Sequence, residues 1–307
     1  MSIPRKHHYL PRFYLERWAE NKEVFRYVRP LGKDGPLDGK WKPPSAIAYE
    51  RDLYQQPDIP DPIESQSLEL RFFQKIDDRA AIALLKLDKS EKGGAEDRIA
   101  LSQFMISLLH RSPSRLKAIR AELADQTVGA PYQGLQGEQF EKVLKSTTNK
   151  LLASLVESRE GTSIISRFRA FKIDTSRAST KLLTSDRPIN VSNQLISSDA
   201  FMIMPYAPDR LLILTHQDAI AGAFSSQNPD ILVRGMNQAV VEQSEDIVIA
   251  SNKRATKMVD RLFLRSQSQS VKDPIGLIRR KSPLIQLTPM IKEISRHEKK
   301  AMKYRGI

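Results

Sequence analysis

The sequence contains no cysteine. Disulfides, thiolate nucleophiles and cysteine-bound zinc are therefore excluded. Any metal would rest on histidine, aspartate and glutamate, a donor set suited to magnesium, manganese or a His/carboxylate zinc site. No apolar run reaches the roughly 18 residues that span a bilayer. The opening Met1-Ser2-Ile3-Pro4-Arg5-Lys6-His7-His8 is basic with no apolar core behind it, so it does not read as a secretory signal. These absences predict a soluble, cytoplasmic protein. A Walker loop, a GxGxxG opening a helix, GxSxG and HExxH are all missing, which removes the usual support for kinase, Rossmann dehydrogenase, α/β-hydrolase and zincin chemistry. Zinc-finger spacings and the aromatic strands of RNA-binding sheets are missing as well.

What is present has ordinary globular composition, 40% hydrophobic and 28% charged. The 307 residues suffice for one large domain or two modest ones. The net charge of +13 is unevenly spread: residues 251–307 hold 15 Lys+Arg against 4 Asp+Glu, a net of +11, so the body is close to neutral. A basic segment of this kind attracts nucleic acid or an anionic membrane face; the plainer alternative is a solvated tail.

Periodicity predicts an α+β fold. Phe13, Tyr14 and Trp18 suit a short helix after Pro11, and Glu23–Val28 alternates as a strand. Pro30–Pro44 reads as turns, Ile47–Tyr54 as a short extended piece and Pro57–Pro62 as a loop. Leu68, Phe72, Ile76, Ala80 and Leu84 make one apolar stripe on a helix starting near Ile63–Ser65 and ending near Leu87. A second helix runs through Ile99–Leu109 until Pro113 kinks or breaks it, a third covers Arg115 to about Gln126, and a fourth covers about Gly137–Glu157.

Short strands follow at Ile164–Ile173, Thr180–Thr184, Ala200–Tyr206, Arg210–Thr215 and Ile247–Ala250, with a helix opening at Asn228-Pro229. Strands clustered after a helical block favour α+β over a doubly wound sheet. The expected organisation is one domain over residues 1–265, with its helical block at about 62–157, and a basic C-terminal extension over 266–307 that holds a helix from Thr288-Pro289.

Only five histidines exist, and two are adjacent in His7-His8-Tyr9-Leu10-Pro11. In an extended segment neighbouring side chains face opposite ways, so one histidine can enter a site while the other packs. A neutral imidazole serves as general base near neutral pH or as a metal ligand. The competing role is hydrogen bonding within the fold. With Tyr14-Leu15 and Trp18-Ala19, this opening resembles the bacterial family catalogued as domain of unknown function 4238. Glu50-x-Asp52-Leu53-Tyr54, Glu64, Arg111-x-Pro113, Leu183-Thr184-Ser185-Asp186-Arg187-Pro188 and Asn237 are similar to it too, in order over about residues 5–255. The resemblance implies a shared fold and shared polar positions; it carries no reaction.

Roles must come from chemistry. Glu50 ends an extended piece and is otherwise a surface charge. Glu64 sits at an expected helix start, where the helix dipole favours a carboxylate. Arg111, in an apolar helix, either binds a phosphate or pairs with Glu64 or Asp186. His110 beside it is expected on the surface. Asp186 follows an apolar strand and enters a Ser-Asp-Arg-Pro turn, as a ligand group at a strand end or as an Asx-turn. Asn237 either orients a site group or satisfies a loop carbonyl.

A base, carboxylates for a divalent metal and an arginine for phosphate are the ingredients of phosphodiester hydrolysis. The leading expectation is thus a nuclease or phosphodiesterase. In it His7, His8, Arg111 and Asp186 are catalytic, and Glu50, Glu64 and Asp186 hold magnesium or manganese. Residues 251–307 contact nucleic acid. The alternatives are a non-catalytic nucleic-acid or protein interaction module and an enzyme acting on a small nucleotide or phosphorylated ligand.

Overall fold

The computed structural model describes residues 5–127, 137–158, 164–192, 195 and 199–264. The basic extension expected over 266–307, with its helix from Thr288, lies outside the described residues. No helix among the described residues is long and apolar enough to cross a membrane.

The architecture is α+β: three antiparallel sheets around a block of helices. The N-terminal ribbon pairs β1 (Lys6–His8) with β4 (Tyr49–Arg51). The second sheet runs in the order β3 (Asp38–Lys42), β2 (Val24–Val28), β10 (Val248–Ala250), β6 (Thr184–Ser185), so it draws on both ends of the domain. The third runs β5 (Arg169–Asp174), β9 (Arg210–Thr215), β8 (Phe201–Ala207), β7 (Asn190–Val191). The continuous apolar runs of β8 and β9 make them the buried centre of that sheet, as unbroken hydrophobic strands demand.

The helical block comprises α2 (Gln74–Asp88), α3 (Ala95–His110), α4 (Pro113–Thr127) and α5 (Gly137–Glu157). Pro113 breaks the chain between α3 and α4 and opens α4, where its missing N–H has no intrahelical role. The apolar stripe Leu68, Phe72, Ile76, Ala80 and Leu84, which runs on into α2, repeats every four residues, which drifts about 40° per repeat on an ideal α-helix. A wide π-helical turn over Leu68–Phe73 unwinds that drift.

The short helix α1 (Arg12–Leu15) follows β1 and plants Leu10, Tyr14, Leu15 and Trp18 in the main core beside Phe104, Met204 and Leu212, all fully buried.

Several expectations change, among them the strand expected over Thr180–Thr184, which is paired only at Thr184–Ser185. The turn-rich 30–44 stretch contains β3, an exposed edge strand paired residue for residue with β2. The strand expected from Ile164 begins at Arg169, and Ile164–Ser166 is helical. Two short helices, α6 (Asp218–Ser225) and α8 (Thr256–Leu262), go unannounced by periodicity because each spans barely two turns. Between them α7 (Pro229–Gln243) starts where Asn228-Pro229 places it, with the Asn228 side chain accepting from the N–H groups of Asp230 and Ile231.

Candidate functional site

The ribbon sets the geometry of the two histidines. His7 lies opposite Glu50 and His8 opposite Tyr49. Both residues flanking β4 take left-handed backbone angles, Ala48 at φ 52° and Asp52 at φ 56°. Non-glycine residues resist that conformation by roughly 1–2 kcal/mol each. The ribbon holds them: the Ala48 carbonyl accepts from Tyr9 N–H at 2.9 Å, and Asp52 N–H donates to the Arg5 carbonyl at 2.8 Å. The Asp52 carboxylate is ion-paired with Arg5 and accepts from Gln66 Nε2 at 3.3 Å.

Strand alternation separates the histidines. His7 points into the core, fully buried; its Nδ1 accepts from Tyr54 N–H at 2.9 Å, and its ring stacks on Tyr54 at 5.6 Å. It therefore takes the structural role. His8 faces the other way, half-buried, with its ring and the Lys6 ammonium both against the Tyr49 ring. One imidazole N–H is bonded to the Ser45 carbonyl, and Nε2 is buried with no partner. Burial first, then the charges of Arg12, Arg111 and Lys6, push the imidazole down to about 4, so it is neutral at physiological pH with a lone pair at Nε2.

Behind His8 lies a buried ionic group. Arg111 is fully buried at the end of α3; Nε donates to the Tyr9 carbonyl at 2.8 Å and Nη1 to Asp77 at 3.0 Å, while the Arg111 carbonyl accepts from the Tyr54 hydroxyl at 2.9 Å. Its partner is thus Asp77 of α2, not Glu64 or Asp186. Glu69, in the π-helical turn, accepts from the His8 backbone N–H. Burial raises Glu69 to about 7, with Asp77 adding and Arg111 opposing. Burial likewise raises Asp77 to about 6 against the pull of Arg111.

Arg111→Met should cost about 3 kcal/mol in chemical denaturation, because one partner of a buried pair is removed and Asp77 is left behind. Arg111→Met with Asp77→Leu should recover most of that. A single-variant loss under about 1 kcal/mol would show that the pair carries no buried charge.

Asp186 is also buried, but its carboxylate accepts from the backbone N–H groups of Glu245 (3.2 Å) and Ile247 (3.1 Å), fixing the turn into β10. Asn237 does similar work upstream, accepting from Leu183 N–H at 2.8 Å and donating to the Lys181 carbonyl at 2.9 Å. Burial and the Asp246 charge raise Asp186 to about 7, against the N–H groups that favour its anion.

A carboxyl with a raised folded pKa favours folding at low pH and loses that contribution as pH rises through its folded pKa. Asp186→Asn should therefore remove part of the stability decline between about pH 4 and 7, leaving the parts due to Glu69 and Asp77. Thermal melts across that range check it; an unchanged slope means Asp186 stays ionised in the fold.

The expected metal set is not gathered. Glu64 is exposed and ion-paired with Arg71 at 2.7 Å. Glu50 is exposed on the ribbon, its charge acting on Tyr9, Asp246 and Lys145. Among the described residues no three His, Asp or Glu side chains form a metal-holding group. His110, expected outside, is buried, because α3 from Ala100 onward is enclosed by its neighbours.

The structure thus brings His8 and Arg111 together and sets Asp186 and Glu50 on the Tyr9 side of the segment. Sequence reasoning missed Glu69, Asp77 and Asp246. A visible signal for Glu69 was a carboxylate inside the apolar run Leu68-Glu69-Leu70-Arg71-Phe72.

A family model described as "Protein of unknown function (DUF4238)" matches residues 6–254. No curated protein and no solved structure matches the chain.

Proposed function

The chain belongs to the DUF4238 family, and from the geometry around His8 we propose that it hydrolyses phosphodiesters with His8 as the general base. The observation that carries this is an unbonded Nε2 on a neutral imidazole held among Lys6, Arg12 and Arg111. Attack of water on a phosphodiester needs a proton acceptor at the nucleophile and positive charge at the phosphoryl oxygens. Lys6, over the Tyr49 ring, and Arg12, paired with Glu16 at 3.4 Å, are exposed, and their charges reach His8; Arg111 is buried and acts through its field. A bound anion offsets the charges that depress the imidazole, so substrate itself makes His8 a stronger base.

The test is incubation of purified protein with RNA, DNA and bis(p-nitrophenyl) phosphate, with magnesium, with manganese and with a chelator. Turnover that disappears in His8→Ala supports the reading; no turnover on any substrate overturns it.

A second reading, a non-catalytic nucleic-acid or protein interaction module, is favoured by the structural use of His7, Asp186 and Asn237. It predicts nucleic-acid binding without turnover.

In either case the basic segment over 251–307 supplies the polyanion contact. Truncation at residue 266 should weaken nucleic-acid binding and flatten its dependence on salt, because fewer phosphates are neutralised. Hydrolysis of the small diester should survive. An unchanged salt slope in a stably folded truncation would exclude this role.

A further inference from the structure

Among the described residues, three buried polar atoms on side chains around the His8 segment have no hydrogen-bond partner: His8 Nε2, Glu69 Oε2 and Arg111 Nη2. Unpaired buried polar atoms are uncommon in native proteins, and each calls for an explanation. These three belong to side chains tied to one stretch of backbone. Glu69 accepts from the His8 N–H, Arg111 donates to the carbonyl of Tyr9, the next residue, and the Arg111 charge acts on both His8 and Glu69.

Their chemistry is specific. Neutral Nε2 and ionised Oε2 accept; Nη2 donates. A partner for all three must offer two donors and one acceptor. A phosphate oxygen only accepts and an ammonium ion only donates, whereas water does both. Buried polar groups that the protein leaves unpaired are commonly joined by a buried water with about three bonds.

We propose that His8 Nε2, Glu69 Oε2 and Arg111 Nη2 together hold one water molecule and that this water is the nucleophile, which makes Glu69 a second catalytic residue. The assignment of the water as nucleophile rests on the phosphodiester reading; the water site itself does not. In the reaction the water oxygen forms the new bond to phosphorus while its proton passes to His8 Nε2. The bond from phosphorus to the leaving oxygen breaks, and that oxygen takes the proton from His8. Glu69 stays ionised and fixes the second O–H; Arg111 holds the oxygen lone pair. Asp77, Tyr54, Lys6 and Arg12 are the other titratable groups that act on these three side chains. Glu69, raised to about 7, must be ionised to accept, so turnover rises with pH through that region.

The test combines high-resolution crystal structures of the parent and of Glu69→Leu with hydrolysis of bis(p-nitrophenyl) phosphate. The expected parent structure has one water within about 2.6–3.2 Å of all three atoms. Glu69→Leu should lose the water and about 10²-fold or more of turnover. Glu69→Gln, which preserves the shape of the pocket should Leu fail to fold, should lose the rise in rate near pH 7. A direct bond between Glu69 and Arg111 in place of the water overturns the proposal, as does a parental pH profile in Glu69→Gln. A parent with the water in place and no hydrolysis would sink the phosphodiester reading while leaving the water site standing.

Discussion

Removal of residues 1–18 is expected to abolish cooperative folding. Leu10, Tyr14, Leu15 and Trp18 are fully buried in the main core. Each such side chain contributes about 1.5–3 kcal/mol on burial, and together they rival the 5–15 kcal/mol that keeps a typical domain folded. Polar links add to this. The Tyr14 hydroxyl is shared with Thr184 at 2.5 Å and donates to the Pro205 carbonyl at 2.7 Å, while Trp18 Nε1 donates to the Leu182 carbonyl at 3.2 Å. The segment thus joins the helical block to strands more than 160 residues further along. Its loss would also leave β4 without a partner and Arg111 without the Tyr9 carbonyl. Circular-dichroism melts and size-exclusion chromatography provide the check: a sharp transition with an unchanged midpoint would mean that the segment is an appendage.

The aromatic density of that segment makes its burial legible in the sequence: Tyr9, Phe13, Tyr14 and Trp18 within ten residues are too apolar for a free arm. Helices α2 and α5 are legible for a similar reason, because 3.6-residue periodicity over 15 or more residues is a strong signal, whereas α3 shows as a long apolar run ended by Pro113. Edge strand β3 is hidden because Asp38-Gly39-Lys40-Trp41-Lys42 is polar, contains glycine and takes its identity from pairing with β2.

The polar positions divide along the same line. His7 and His8 look alike as letters, and alternation predicts that they face opposite ways. Which one enters the core is decided by Tyr54, 47 residues away in sequence. Arg111 announces that it needs a partner, but local sequence cannot rank Asp77 above Glu64 or Asp186. Both Glu69 and Asp77 sit on helical turns whose apolar neighbours dominate the pattern, so their inward orientation emerges only once the π-helical turn meets the His8 backbone and α2 packs against α3.

His8→Ala is expected to reduce turnover by about 10²–10⁴-fold, the range that a positioned general base supplies, while changing stability by about 1 kcal/mol or less. The ring is half-buried and its bond to the Ser45 carbonyl is a single neutral hydrogen bond. His7→Ala should do the reverse. It strands a buried Tyr54 N–H and removes a stacked ring, costing about 2–3 kcal/mol, with turnover falling only as far as the folded fraction falls.

The pH dependence separates His8 further. Its folded pKa is depressed to about 4 from 6.5, so the unfolded chain binds the proton more readily. Stability linked to His8 is therefore fully present above about pH 6.5 and is lost as pH falls toward 4. His8→Ala lacks that loss, and its stability relative to the parent should improve between pH 6.5 and 4. For turnover, the limb due to His8 in kcat/KM, which reports the free protein, should lie near 4. The corresponding limb in kcat should lie higher, because bound phosphate offsets the Lys6 and Arg12 charges. Coincident limbs would remove substrate anion from the control of the base. Parental turnover in His8→Ala would remove His8 from the reaction altogether.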